Sequence, residues 1–206
     1  MRTLYVVTHP QATHHVDGIV GGWHDSDLTP AGVEAAGRIS EALRTAIPDD
    51  ATVELYSSDL KRTSQTADAI GKRFDLEPVL DARLRESSWG EAEGHPQARW
   101  DELLTPPPVN GDRMAHLVIP GAESRAELAQ RIYAAVDDIV SRPCEHQIIV
   151  THGHAFSFAV AAWIKMPLEA LGYALFKAPS GSITVLHEDD LYRGRLVLRL
   201  GDARHL

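Results

Sequence analysis

The sequence predicts an α/β protein, a three-layer α/β/α sandwich around a mostly parallel central sheet. Two short apolar runs, residues 4–8 and 148–151, are continuous rather than alternating, which is typical of parallel strands buried on both faces. Segments with helical spacing of their apolar residues lie between such runs, as expected when helices cover both faces of a sheet. The 206 residues, 44% of them hydrophobic, can bury one substantial core, so we expect a single domain over residues 1–206.

The first half of the chain begins with the strand at residues 4–8. A Gly-rich polar stretch follows, which we expect to be extended, and Thr29 with Pro30 then predicts the start of a helix. The apolar stripe of this helix consists of Val33, Ala36, Ile39, Leu43 and Ile47. Residues 53–56 predict a second buried strand, and a helix over about 59–74 follows, which Ser57, Ser58 or Asp59 can cap.

The second half of the chain contains a long irregular segment, residues 95–120, with several Pro and Gly residues. Loops of this length in compact domains are usually lids or insertions, and we expect one here. A helix over 123–140 and the strand at 148–151 follow, and then a helix continues to a break at Pro167. The final elements are two strands, 183–186 and 196–200, which we expect to form a hairpin.

The charge and cysteine content restrict the partners and the compartment. The net charge of -9 argues against nucleic acid or an anionic membrane as a partner, because both need a basic surface. The first apolar run is far too short for a signal peptide or a membrane span. The single cysteine, Cys144, excludes an internal disulfide and fits a reducing compartment, so we expect a cytoplasmic protein.

Three polar side chains follow predicted buried strands at the point where each strand ends. His9 follows the first strand, Arg62 follows the second strand by one helical turn, and His152 follows the later strand. Because the carboxyl ends of parallel strands meet at one edge of a sheet, we expect these residues to lie close together. An arginine near a helix N-terminus supplies a planar fork of donors where an anion is already favoured, so this edge is predicted to bind a small anion.

Residues 84–94 are predicted to form a Gly-rich loop that contributes a carboxylate near this edge. Its glycines and paired acidic residues are typical of a loop rather than of the interior of a helix or strand. Glu86, near the start of this loop, is a candidate to protonate a leaving oxygen.

Five motifs, in order along nearly the whole chain, resemble those of the histidine phosphatase superfamily (phosphoglycerate mutase-like). They are Gly22 to Thr29, Ser58-Asp59-Leu60-Lys61-Arg62-Thr63-Ser64-Gln65-Thr66-Ala67, Leu84-Arg85-Glu86 with Gly90 and Gly94, Pro120-Gly121-Ala122-Glu123-Ser124 with Arg131, and Thr151-His152-Gly153-His154. In this family the histidine after the first strand becomes phosphorylated, so the resemblance implies that His9 is the nucleophile.

The resemblance also implies the other roles in the site. Arg62 and His152 would stabilise the equatorial oxygens of the phosphoryl group, and Glu86 would protonate the leaving oxygen. Gly153 and His154 are expected to take part in substrate binding. The activity implied is that of a metal-independent phosphomonoesterase without cofactors, acting on a small phosphorylated metabolite.

The first motif departs from the family pattern. Thr8-His9-Pro10 stands where the family has Arg-His-Gly, and His15 stands where many members have a phosphate-contacting Asn. Loss of a charge-assisted contact costs about 1.5–3 kcal/mol, so the substrate preference or the activity itself is altered. We expect Thr8 and His15 to be substrate-binding positions, and His14 or His15 can replace part of the missing charge.

Several alternatives remain open. Asp25-Ser26-Asp27-Leu28-Thr29 matches the motif of aspartyl phosphatases, although no buried strand precedes it. A metal site built from His9, His14 or His15, His152 and His154 is a further alternative. Adjacent side chains of an extended segment point apart, so His14 and His15 are not expected to share one ion, and no Cys or His pair has helical ligand spacing. The main alternative is a family member that binds a phosphate ester or another anion without turnover, or that uses the pocket for other chemistry.

A mutase is less favoured because residues 95–120 are only a modest insertion. The oligomeric state is left open, and a homodimer is one of the options.

Overall fold

The computed structural model describes all 206 residues, and its centre is one six-stranded sheet. The strands are β1 (Arg2–Thr8), β2 (Val53–Ser57), β3 (Val79–Leu80), β4 (His146–Thr151), β5 (Ile183–Glu188) and β6 (Arg195–Asp202). Their order across the sheet is β3-β2-β4-β1-β5-β6. The first four strands in this order are parallel, and β5 and β6 are antiparallel additions at the β1 edge.

Six helices connect the strands. They are α1 (Thr13–Asp17), α2 (Pro30–Ala46), α3 (Lys61–Phe74), α4 (Gln97–Leu103), α5 (Arg125–Ser141) and α6 (Gly153–Trp163). None of them has both the length and the apolar character that a crossing of a membrane requires.

Successive residues of the central strands pack into two cores on opposite faces of the sheet. Leu4 and Val6 of β1 join the core formed with α5 and α6, whereas Tyr5 and Val7 join the core formed with α2 and α3. Both cores are therefore covered by helices, which explains why the strands read as continuous apolar runs. The predicted α/β fold with a mostly parallel sheet is confirmed.

The long helices follow their sequence signals closely. The Thr29 hydroxyl accepts a hydrogen bond from Gly32 N at the start of α2, and Ser124 forms a capping box with Glu127 at the start of α5. The predicted apolar stripe of α2 is wrong at one position, since Val33 is 58% exposed and Ala35 is buried instead. The predicted side-chain cap of α3 is also wrong, because its N-cap is Leu60 and no side chain caps it.

Three short elements are absent from the sequence-based prediction. α1 occupies part of the stretch predicted to be extended, α4 lies inside the segment 95–120, and β3 adds two exposed residues to the sheet edge. Each is too short to show a periodic apolar pattern, so the sequence carries no signal for it.

The register of the sheet brings the ends of four strands to one edge. Thr8 at the end of β1 pairs with Thr151 at the end of β4, and Ser57 of β2 pairs with Val150. β5 runs in the opposite direction, so its first residue, Ile183, pairs with Val7. The turn that precedes β5 therefore lies at the same edge as the carboxyl ends of the parallel strands.

Candidate active site

A pocket of about 270 Å³ opens at this edge of the sheet. It is lined by Thr8, His9, His14, His15, Gly21, Gly22, Arg62, Glu86, Trp89, Gly153, Ala178 and Ser180. Strand ends, the first turns of α1 and α3, and three loops all contribute to it, as expected for a ligand site in an open parallel sheet.

His9 presents one free ring nitrogen to the pocket. Its Nδ1 lies 2.8 Å from the carbonyl oxygen of Pro10, which can only accept, so Nδ1 carries the proton. Nε2 of the neutral ring is then left with a free lone pair. The side chain is 6% exposed, which leaves the ring little freedom to move. This is the arrangement that a nucleophilic histidine needs.

His152 is fully buried beside His9, with ring centroids 5.1 Å apart in an edge-to-face arrangement. Its Nδ1 accepts a hydrogen bond from Arg62 Nε at 3.2 Å, and its Nε2 lies 2.9 Å from the Ser58 hydroxyl. Both nitrogens are thus engaged with protein groups, and the ring does not line the pocket. The structure therefore places His152 behind His9 and Arg62, whereas the sequence analysis expected it to face the phosphoryl oxygens.

Arg62 is the single arginine or lysine that lines the pocket. It is 1% exposed, and besides His152 it donates to the carbonyl oxygens of Gly22 at 2.6 Å and His24 at 2.8 Å. These three bonds leave two of its five N–H donors free for a ligand. Burial lowers the pKa of Arg62, and the nearby Glu86 carboxylate offsets part of this effect. The guanidinium stays charged, because arginine is not deprotonated in proteins.

Glu86 stands at the N-terminus of α6. Its carboxylate accepts three backbone hydrogen bonds, from Ser87 at 2.9 Å, His154 at 3.0 Å and Ala155 at 2.9 Å. A negative charge is favoured there by the helix dipole and by the otherwise unpaired N–H groups of the first turn. Glu86 is therefore held rigidly at the pocket wall, a positioning that the loop-like sequence did not predict.

The backbone around Glu86 is fixed by Arg131 of α5. Arg131 donates to the carbonyl oxygens of Arg83, Arg85 and Glu86, at 2.7–2.8 Å, and forms an ion pair with Glu123. The indole N–H of Trp23 also donates to Glu86 O at 2.7 Å. The late motif that carries Glu123 and Arg131 thus supports the loop that carries Glu86.

Thr8, which the resemblance predicted to stand in place of an arginine, uses its hydroxyl inside the protein. The hydroxyl donates to Pro179 O at 2.7 Å and accepts from Ser182 N at 3.1 Å. It ties the end of β1 to the turn before β5, so Thr8 lines the pocket without offering it a cation.

His14 and His15 both face the pocket from α1, with ring centroids 4.0 Å apart. The expectation that they point apart is wrong, because they lie in a helical turn and not in an extended segment. His15 Nδ1 accepts from Ala12 N at 3.2 Å, so its neutral ring presents an Nε2–H donor. His14 Nδ1 lies 2.6 Å from the Ser26 hydroxyl, which can donate or accept.

The pocket histidines are held in the neutral form. Burial and the Arg62 charge lower the pKa of His9 and of His152 well below the ordinary value. Burial, His15 and Arg62 lower the pKa of His14 to about 3, and burial with Arg62 also lowers the pKa of His15. These lowered pKa values do not favour the expectation that His14 or His15 replaces part of the positive charge, which stays a prediction.

The remaining residues of the site divide between expected and missed positions. Gly153 lines the pocket, whereas His154 lies behind it, with its ring stacked on Trp89 at a centroid distance of 5.4 Å. The sequence analysis missed Trp89 and Ser180, and the Ser180 hydroxyl donates to His9 O at 2.8 Å. The hairpin strand β5 was the available signal for Ser180, because a strand antiparallel to β1 begins beside the end of β1.

No group of three or more His, Cys, Asp or Glu side chains in the chain is arranged to hold a metal ion. Several pocket nitrogens are already committed, since Nδ1 of His9, His15 and His152 and Nε2 of His152 each have a protein partner.

The comparison with known families identifies the class of protein. The chain matches the histidine phosphatase superfamily (branch 1) over residues 4–199, and it belongs to this superfamily. Among curated proteins it is similar to "Probable phosphoglycerate mutase GpmB" of Yersinia pestis (strain Pestoides F). The two are 29% identical, and the match covers 100% of this chain and 95% of that protein.

Two solved structures show the same fold at comparable similarity. The mycobacterial glucosyl-3-phosphoglycerate phosphatase Rv2419c, solved with VO3, is 26% identical with a TM-score of 0.79, over 98% of this chain and 100% of that chain. Bacillus stearothermophilus YhfR is 26% identical with a TM-score of 0.79, over 100% of this chain and 99% of that chain. The similarity in both cases extends over the whole fold.

Proposed function

We propose that this chain is a phosphomonoesterase that hydrolyses a small phosphorylated metabolite through a phosphohistidine intermediate on His9. The observation that carries the proposal is the bare Nε2 of His9, held by the Pro10 carbonyl in a pocket that also contains the Arg62 guanidinium. Membership of the superfamily and the similarity to a phosphatase solved with VO3 support it.

In the first step, His9 Nε2 attacks phosphorus and the bond between phosphorus and the leaving oxygen breaks. The two free N–H groups of Arg62 and the Nε2–H of His15 are the donors available to the phosphoryl oxygens. His152 acts through Arg62, because it accepts from Arg62 Nε and so fixes the plane of the guanidinium. Positioned donors of this kind supply most of the catalysis in phosphoryl transfer.

Glu86 is the proposed proton carrier. Its carboxyl group gives a proton to the leaving oxygen in the first step. In the second step it takes a proton from the attacking water, and the bond between nitrogen and phosphorus breaks to release phosphate. Its three backbone partners hold the carboxyl oxygens in one place for both steps.

We infer release of phosphate rather than its return to the substrate, although one similar protein carries a mutase name. The segment 95–120 adds only the seven-residue helix α4 and a loop. A mutase has to enclose its intermediate and exclude water, and this segment is short for that purpose. Product analysis with 3-phosphoglycerate distinguishes the two reactions, since hydrolysis gives free phosphate and a mutase gives the isomer.

A second candidate function is binding of a phosphate ester without turnover. The replacement that favours it is Thr8, whose hydroxyl is used by Pro179 and Ser182 and leaves the end of β1 without a cation. Such a protein would bind phosphate at the same pocket but form no covalent intermediate.

The deciding experiment is a screen of phosphorylated metabolites for phosphate release, followed by rapid acid-free quenching with a labelled substrate. We expect a phosphoenzyme that is stable to alkali and labile to acid, formed equally well in EDTA. His9→Ala should abolish it. The control is His187→Gln, since His187 lies in β5, beside the start of β1 and far from the pocket end, where it is bonded to Thr3. This variant should form the phosphoenzyme unchanged. Binding of phosphate with no phosphoenzyme on any substrate would favour the binding protein. Loss of turnover in EDTA, restored by magnesium or zinc, would require a metal mechanism.

A further inference from the structure

The charges that line the pocket cancel. Arg62 contributes one positive charge and Glu86 one negative charge, and every other lining side chain is neutral or a histidine. Thr8 occupies the position at which a second fixed cation would be expected. A doubly charged phosphate ester would therefore enter a pocket with no net positive charge, next to a carboxylate, in surroundings of low dielectric.

The histidines do not make up the difference. Nδ1 of His15 already accepts an N–H from Ala12, and Nδ1 of His152 accepts one from Arg62. Protonation of either Nδ1 would therefore place two N–H donors opposite each other. His9 must keep Nε2 bare to act as a nucleophile. His14 is free to change its tautomer, but burial and its cationic neighbours lower its pKa to about 3.

The reaction also lacks a proton. Glu86 Oε1 accepts N–H bonds from Ser87 and Ala155, and Oε2 accepts one from His154, an all-acceptor geometry that suits a carboxylate, which has no hydrogen to give to a leaving oxygen. The N–H groups of His9 and His152 are engaged in hydrogen bonds, that of His15 is needed to hold the phosphoryl oxygens, and the N–H of any neutral imidazole is a very weak acid. One further proton has to enter the complex, and the substrate is its available source.

We propose, on the basis of the function proposed above, that the pocket takes a phosphate monoester as its singly charged form, the monoanion. The P–OH hydrogen of the bound ester passes to the Glu86 carboxylate. Glu86 then gives it to the leaving oxygen as the bond from His9 Nε2 to phosphorus forms and the bond to the leaving oxygen breaks. The products are a neutral alcohol and a phosphohistidine, and no other proton donor is needed.

The groups around Glu86 are consistent with this route. The charged or titratable side chains around it are His9 after β1, His14 and His15 of α1, Arg62 of α3 and His154 of α6. The Arg131–Glu123 ion pair lies behind its backbone, and Glu93 is bonded to the nearby Trp89 N–H. Burial lowers the pKa of His154, which the Glu86 charge opposes, so His154 is also neutral. Arg62 is the one cation of this group inside the pocket, and it can only donate hydrogen bonds. The Glu86 carboxylate is therefore the group in the pocket that is suited to accept the hydrogen of a P–OH group.

The test is a binding measurement that needs no turnover, so its failure is separate from failure of the phosphoenzyme experiment. Methylphosphonate and difluoromethylphosphonate differ in their second pKa because fluorine withdraws electrons, and sulfate is a permanent dianion near neutral pH. Titration calorimetry from pH 5.5 to 8.5 should show affinity falling about tenfold per pH unit above the second pKa of each phosphonate. The two curves should break at different pH values. Sulfate should bind at least about tenfold more weakly than methylphosphonate at pH 6.

A break at the same pH for both phosphonates would mean that an enzyme group titrates instead, and the proposal would be wrong. Equal affinity for sulfate and for the phosphonate monoanion would also overturn it, because the pocket would then accept a dianion.

Glu86→Gln removes the negative charge with little change in shape. We expect it to tighten sulfate binding about tenfold or more and to abolish the fall in phosphonate affinity with pH, while turnover is lost. The matched control is Glu127→Gln, which alters an exposed carboxylate that caps the N-terminus of α5. It should change none of these quantities. If Glu86→Gln, folded by circular dichroism, weakens sulfate and phosphonates alike, Glu86 serves only as a helix cap and the proposal fails.

Discussion

The candidate site has two halves that differ in charge and in how their side chains are held. The Arg62 half, formed by Ser58, Arg62, Glu86 and His152, carries both formal charges and is held by a dense set of hydrogen bonds. The His9 half, formed by Thr8, His9, His14 and His15, contains no formal charge and presents neutral imidazoles.

The proposed nucleophile, His9, and the fixed charge, Arg62, therefore come from separate parts of the chain. In the His9 half, the Thr8 hydroxyl is bonded to Pro179 in the turn before β5. Changes to the two halves should therefore have effects of different size and, for charge, of opposite sign.

The largest effect is expected in the Arg62 half. Arg62→Ala removes the only fixed cation and leaves Gly22 O, His24 O and His152 Nδ1 without their donor. We expect kcat/KM to fall roughly a hundred- to a thousand-fold, as for loss of a positioned donor to a reacting oxygen. Arg62→Lys keeps the charge, but its three N–H donors belong to one nitrogen and cannot replace the planar fork that reaches Gly22 O, His24 O and His152 Nδ1 together, so it should recover only part of the activity. Full activity in Arg62→Lys would show that charge alone matters in this half.

A smaller gain is expected in the His9 half. Thr8→Arg adds a cation where the pocket has none, and a charge-assisted contact contributes about 1.5–3 kcal/mol. Activity on aryl phosphates at pH 8 should rise about ten- to a hundred-fold. Thr8→Val is the control, because it removes the hydroxyl bonds to Pro179 and Ser182 without adding charge. A folded Thr8→Arg variant with unchanged activity would mean that the His9 half serves a different ligand.

The buried histidines also predict how stability depends on pH. Burial lowers the pKa of His9 and of His152 in the folded protein, whereas the unfolded chain takes up protons near pH 6.5. The unfolded state therefore binds more protons below this pH, and the free energy of unfolding decreases as the pH falls. Each such histidine contributes at most about 1.4 kcal/mol per pH unit. Urea unfolding at pH 7.0, 6.0 and 5.0 measures this slope.

The control for this slope is His152→Gln, which should be less stable at pH 7 but should lose less stability on acidification. A slope equal to that of the unchanged protein would mean that His152 is protonated in the folded state.

Much of the fold could be predicted because its main signals are local. Continuous apolar runs gave β1 and β4, and the Thr29-Pro30 pair gave the start of α2, since burial on both faces and capping act within a few residues. α1 could not be predicted in this way. It is five residues long, and its position depends on contacts such as that of His14 with Ser26, which tertiary structure provides.

The sequence predicted which residues form the site better than it predicted how they are oriented. Strand ends and motifs indicated His9, Arg62, Glu86 and His152, and the structure gathers these four residues at one edge of the sheet. The orientation of His152 toward Arg62 and Ser58 could not be foreseen, because hydrogen bonds between distant segments decide it. The role of Glu86 at the start of α6 likewise depends on how the 84–94 loop packs against a later helix.

The most direct test of the two-halves account is a nitrogen NMR titration of the protein labelled at its histidines, with the signals assigned through single His→Gln variants. Between pH 7.0 and 8.0, the rings of His9, His14, His15 and His152 should be neutral. Nδ1 should be protonated in His9, and Nε2 in His15 and His152. Protonation of His14 or His15 with a pKa of 6.5 or above would give the His9 half its own positive charge and would contradict the account.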